Sequence, residues 1–114
     1  MNAAIYARKN TAQDGVADEQ KSVTRQAELA REFAGSKGWS VVAEFADDGV
    51  SGAEFENRPG YQRLMKALTP RPAFGVLIVS EQKSIGRESF ETQYAIKQLS
   101  QAGVQVWSYM KRPA

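Results

Sequence analysis

Cysteine and histidine are both absent from the 114 residues. The first absence excludes disulfides, thiolate metal sites, redox relays and cysteine nucleophiles. The second removes the usual general base and the commonest metal ligand. A Ser-His-Asp hydrolase or a zinc enzyme cannot be assembled from this chain. No apolar run approaches the roughly 20 residues that a bilayer span needs, and the stretch from Met1 meets a charge at Arg8 before a signal-peptide core could form. A cytoplasmic protein with no membrane partner is therefore expected. Internal repeats and low-complexity tracts are missing as well.

What is present is ordinary for a globular protein: 42% hydrophobic and 25% charged residues. The length suits one domain, residues 1–114, with a single core of two or three layers. Net charge is only +2, but it is unevenly spread. Up to Asn57 there are six cations and ten anions, and from Arg58 onward nine cations and three anions. Such a split suits a face that meets phosphate, and it equally suits a solvated surface.

Apolar periodicity gives the elements. Ala3 to Ala7 is a short buried strand ending at Arg8, followed by a polar loop from Lys9 to Glu19. Ser22 caps a helix whose Val23, Ala27, Ala30 and Phe33 or Ala34 share a face, with Gly35 and Gly38 as stops. Trp39 to Phe45 has strand composition and runs into the turn signal Asp47-Asp48-Gly49; Val50 to Asn57 reads as a second loop. Asn57-Arg58-Pro59-Gly60 opens a helix with Tyr61, Leu64, Met65 and Leu68 inward, closed by Pro70 and Pro72. Phe74 to Val79 is a continuous apolar run, as in a strand covered on both faces. Glu88 to Gln101 is a further helix, with Phe90, Tyr94, Ala95 and Leu99 inward, and Val104 to Trp107 a last strand after Gly103. Trp39, Trp107 and most other aromatics are expected in the core, while Phe55 and Tyr109 are the ones to watch for partner contact.

The order β-α-β-α-β-α-β predicts an α/β fold of three layers: a mainly parallel sheet of about four strands with helices on both faces. Ligands of such sheets gather beyond the carboxyl ends of the strands. Those ends carry Arg8, Lys9 and Asn10, then Asp47 and Asp48, then Ser80 to Lys83, with Arg58 and Arg87 near helix starts. Planar guanidinium forks match phosphate oxygens in two-point contact, which makes a phosphate site credible.

Tyr6-Ala7-Arg8-Lys9-Asn10-Thr11, Ser22-Val23-Thr24-Arg25-Gln26, Asp48-Gly49-Val50-Ser51-Gly52, Arg58-Pro59-Gly60-Tyr61-Gln62-Arg63-Leu64 and Ile85-Gly86-Arg87-Glu88 resemble, in order and spacing, the N-terminal catalytic domain of serine recombinases. These are the resolvases, invertases and large serine integrases. The resemblance runs from about Ala3 to Trp107. It implies site-specific DNA recombination without metal or cofactor. A serine hydroxyl attacks a DNA phosphodiester, forms a 5′-phosphoserine bond and releases a 3′-hydroxyl; strand exchange then proceeds by rotation within a tetramer. Without a metal, arginines must neutralise the phosphoryl transition state. By position these are Arg8, Arg58 and Arg87, with Gln26, Asp48 and Ser51 as the polar residues that orient them or the nucleophile.

The chain departs from the family pattern at the nucleophile itself. Asn10 stands where the family's Tyr-x-Arg-x-Ser motif has serine, and a carboxamide cannot form the phosphoester. Thr11 carries a hydroxyl but is aimed elsewhere by its adjacent position. Further along, Lys83-Ser84 replaces the Asp-Arg or Ser-Arg that usually precedes Leu-Gly-Arg, so a clustered arginine has become Ser84. Losing one such contact costs about 2–4 kcal/mol of transition-state stabilisation. The family's C-terminal dimer helix and DNA-binding domain are expected to be absent after Ala114. The expectation is thus an inactive or strongly impaired recombinase domain that binds DNA weakly and non-specifically, with homo-oligomers possible in a full-length protein. A catalytically silent binding module is the alternative. More distant ones are a receiver-like signalling domain and a magnesium nuclease using Asp47, Asp48 and Glu81.

Overall fold

The computed structural model describes residues 1–9, 22–48, 58–81, 85 and 89–110. Among these, strands and helices alternate: β1 (Asn2–Lys9), α1 (Val23–Lys37), β2 (Ser40–Asp48), α2 (Pro59–Ala67), β3 (Val76–Val79), α3 (Ser89–Gln101) and β4 (Gln105–Ser108). The strands form one sheet in the order β2-β1-β3-β4, with every pairing parallel. All strands therefore point their carboxyl ends to one rim, and β1 lies inside the sheet, flanked by β2 and β3.

Alternation along the central strands sorts two cores. Ala3 and Ile5 of β1, with Val76 and Ile78 of β3, pack against Ala30 and Ala34 of α1. Ala4 and Tyr6, with Leu77 and Val79, pack against Tyr61 and Leu64 of α2 and Ala95 and Leu99 of α3. The sheet is thus covered on both faces, the three layers expected from the element order. Among the described residues no helix is long and apolar enough to cross a membrane.

The helix ends follow local chemistry. Ser22 accepts from the Arg25 N–H at the start of α1, and Gly38 stops it in the left-handed region at φ 75°. Gly35, offered by the sequence as a stop, sits inside the helix, because a glycine with ordinary helical dihedrals does not break the hydrogen-bond ladder. Strand β2 runs on to Asp48 rather than ending at Phe45, and β3 starts at Val76 rather than Phe74. Trp39 precedes its strand and packs edge-on against Trp107, ring centroids 5.3 Å apart, in a half-buried cluster with Phe33.

Phe90 and Tyr94 correct the sequence reading. They are 71% and 57% exposed, whereas Glu91, Thr92, Ala95 and Leu99 form the buried stripe of α3. Taking every aromatic as inward rotated the helix by about one residue. The true stripe includes a carboxylate, which apolar periodicity cannot register. Tyr109, expected as a contact residue, is half-buried against the α1 side of the sheet, and Phe55 lies outside the described residues.

Candidate functional site

Burial places a cluster of polar side chains at the carboxyl rim of the sheet. Arg8, Gln26, Asp47, Arg58 and Glu91 are all buried, Arg58 completely. Guanidinium and carboxylate groups stay charged in such a place only when partners replace water.

Residue Arg8 lies near the end of β1, with Asp47 opposite it on β2. Its peptide is clasped by Gln26 of α1: Nε2 donates to the Arg8 carbonyl at 2.9 Å, and Oε1 accepts from the Arg8 N–H at 3.3 Å. The register of β1 with β3 ends at Ile5, so at Arg8 the Gln26 amide does what a neighbouring strand would. Held this way, the Arg8 side chain shares the face of Tyr6, two residues before it. Burial lowers the proton affinity of the Arg8 guanidinium. Tyr6 works against that shift, Arg58 adds to it, and the Glu91 and Asp47 carboxylates oppose it. Arg8, Arg58, Asp47 and Glu91 therefore share one electrostatic environment.

The Asp47 carboxylate organises the other half. Its Oδ1 accepts from the Gly60 N–H at 2.7 Å, and its Oδ2 accepts from the Tyr61 N–H at 2.9 Å and from the Tyr6 hydroxyl at 2.7 Å. An acid from β2 thus caps the first turn of α2, whose own N-cap residue, Arg58, makes no side-chain cap bond. The Arg58 Nη1 donates to the Ile85 carbonyl and, at 3.4 Å, to the Tyr6 hydroxyl. Its guanidinium lies over the Tyr61 ring, 4.5 Å from the centroid. Burial, the largest influence, drives the Tyr6 phenol well above its ordinary value; Arg58 opposes the shift and the bond to Asp47 adds to it.

Of the residues predicted from sequence, the structure brings together Arg8, Gln26 and Arg58. Asp48 is the last residue of β2, opposite Lys9. Asn10, Ser51, Lys83, Ser84 and Arg87 lie outside the described residues. Sequence reasoning missed Tyr6 and Asp47 as bonded members of the cluster, and Glu91 altogether. The period-2 alternation of β2 could have found Asp47, since it puts Asp47 on the face of Phe45. The four-residue spacing from Glu91 to Ala95 could have found Glu91.

Together the fold and the site define a parallel α/β domain, covered on both faces, with arginines and carboxylates buried near one another at its carboxyl rim. A family model described as the N-terminal domain of resolvases matches residues 3–112, and the chain belongs to that family. Among solved structures, it is similar to the N-terminal catalytic domain of TP901-1 integrase, with 26% identity, a TM-score of 0.80, and coverage of 96% of this chain and 77% of that one. It is also similar to the C-terminal catalytic domain of ISC1926 TnpA, an IS607-like serine recombinase, at 25% identity and a TM-score of 0.78, covering 96% and 70% of the two chains. A resolvase family site-specific recombinase from Streptococcus pneumoniae shares the fold, with 20% identity, a TM-score of 0.76, and coverage of 96% and 72%. No curated protein matches the chain. The receiver-like alternative gives way to this family; the chain is a resolvase-family serine recombinase catalytic domain.

Proposed function

We propose that this domain binds the phosphodiester backbone of DNA through Arg8, Arg58 and Arg87 and does not cleave it. The observation that carries the reading is the convergence of Arg8 and Arg58 on Tyr6 and Asp47 at the rim where parallel sheets present their ligands. Arg8 lies 5% exposed and Arg58 fully inside, so the phosphate meets Arg8 first. Arg58 then exchanges the neutral Ile85 carbonyl for an anionic oxygen, a stronger acceptor for a guanidinium. Gln26, Asp48 and Ser51 orient these groups. Asn10, at the position of the nucleophile, has no hydroxyl to attack phosphorus, and Ser84 supplies no charge where the family has arginine. No metal or cofactor takes part in this reading. Binding is weak, independent of sequence and steeply salt-dependent, since phosphate contacts alone carry it. The protein works in the cytoplasm.

The test is a nicked duplex that traps covalent intermediates. The wild-type chain is expected to bind it at low salt and give no adduct. Adduct formation by the wild type would refute the inactive reading. Asn10→Ser with Lys83→Asp and Ser84→Arg, in a chain fused to a recombinase DNA-binding domain, is expected to restore the adduct; its continued absence would favour the silent binding module.

A further inference from the structure

Arg58 is long and fully buried, and ordering so rotamer-rich a side chain costs conformational entropy. Donors that are already aimed need no reorganisation when a phosphate arrives. Something in the fold must therefore hold this side chain: Nη1 donates to the Ile85 carbonyl and to the Tyr6 hydroxyl, and the second of these bonds leads on to Asp47.

We propose that Asp47 is a positioning residue that fixes Arg58 at both ends. At the backbone end, its two oxygens grip the N–H groups of Gly60 and Tyr61, the first turn of the helix that Arg58 opens. At the other end, it accepts the Tyr6 proton, which turns a hydroxyl lone pair toward the Arg58 Nη1. One carboxylate thus sets the origin of the side chain and, through Tyr6, one of the contacts that aim the guanidinium, beside the Ile85 carbonyl. The close approach this needs is built into the chain, because Gly60 carries no side chain where it meets the backbone of Ala46, next to Asp47. Tyr6 stays a neutral phenol in this environment, so the link is Arg58 cation, phenol, Asp47 carboxylate, a chain of bonds that polarise one another. The relevance of this role to DNA binding rests on reading Arg58 as a phosphate ligand; the positioning itself does not.

The test uses the full 114-residue chain, labelled with nitrogen-15, and reads the Arg58 side-chain N–H signal, identified by its loss in Arg58→Lys. Tyr6→Phe removes one oxygen and keeps the ring; Asp47→Asn keeps the shape and removes the charge. In both variants the backbone signals of β1 and β3 should persist. The Arg58 signal should move toward that of exposed arginines and exchange with water about tenfold faster, as expected when a hydrogen bond to a charged group is lost. An Arg58 signal unchanged in Tyr6→Phe overturns the proposal, and that variant decides alone if Asp47→Asn does not fold. The same proteins are then titrated with duplex DNA at low salt. Binding about tenfold weaker, with a salt slope smaller by about one, ties the positioning to phosphate contact. No binding by the wild type refutes the phosphate reading and leaves the side-chain signal to decide the positioning. Unchanged binding in variants whose Arg58 signal has moved overturns the link between the two.

Discussion

Gly60 lies so close to Ala46 that a Cβ built on it would stand 2.4 Å from the Ala46 carbonyl oxygen and 2.7 Å from its carbon. Both atoms are backbone, in a strand paired with β1, and cannot swing aside. Gly60→Ala gains helix propensity worth up to about 1 kcal/mol, but overpacking costs about 1–3 kcal/mol or more, and here it also pulls α2 off its carboxylate cap. The clash should win. Urea unfolding of Gly60→Ala is expected to show a lower midpoint than the wild type; an equal or higher midpoint contradicts the packing described here.

Gln26 is the second test of how the rim is held. Gln26→Ala withdraws the partner of the Arg8 N–H and carbonyl together, in a buried place. A loss of about 1–3 kcal/mol is expected, the cost of leaving a buried polar group without its bond. Gln26→Glu keeps the acceptor for the N–H and loses the donor to the carbonyl, so it should not restore stability. Equilibrium unfolding of the two variants checks this, and a fully stable Gln26→Glu would show that only the N–H contact matters.

Much of the fold was legible because its signals are local. Ser22 marks the start of α1 by its side-chain cap and Gly38 its end by a left-handed backbone, and the unbroken apolar run around Val76–Val79, rich in β-branched residues, reads as a strand covered on both sides. The site was less legible, because its members are defined by what faces them across the sheet. Asp47 and Asp48 are indistinguishable as letters, and only strand alternation commits Asp47 to α2 and Tyr6. Glu91 reads as a surface residue until the Arg8 charge is placed near it. For Arg58 the sequence showed the residue type and the helix start, yet not that the guanidinium would lie wholly inside, over the Tyr61 ring.

The exposed aromatics of α3 supply a third prediction. Phe90→Ser and Tyr94→Ser should each change stability by no more than about 0.5 kcal/mol, as surface substitutions do. Leu99→Ala, at a fully buried position one turn or more away on the same helix, should cost about 2–5 kcal/mol. Thermal or urea unfolding of the three variants checks the rotation of the helix. A large loss at Phe90 would restore the inward placement read from the sequence.

Stability should fall at alkaline pH. Tyr6 is raised above its ordinary value chiefly by burial, as are Tyr61 and Tyr109. A phenol whose folded pKa exceeds its unfolded value leaves stability intact below about pH 10; above that the unfolded chain ionises first and stability is lost as pH rises. The urea midpoint is therefore expected to drop as pH rises above about 10, less steeply in Tyr6→Phe. Tyrosinate absorbance of the folded protein should lag behind that of the denatured chain. Simultaneous ionisation in the two states would show that the Tyr6 environment is not the one described.

The shared direction of the four strands segregates two kinds of connection. The passages from helix back to strand, including the left-handed glycines at 38 and 103, lie at the end of the sheet remote from Arg8 and Asp47, and both glycines are exposed. An epitope tag, a fluorophore or a circular-permutation break introduced there would disturb neither the buried charges nor the strand registers beside them. The architecture thus provides a handle for attaching probes and a working edge on opposite sides of the same molecule.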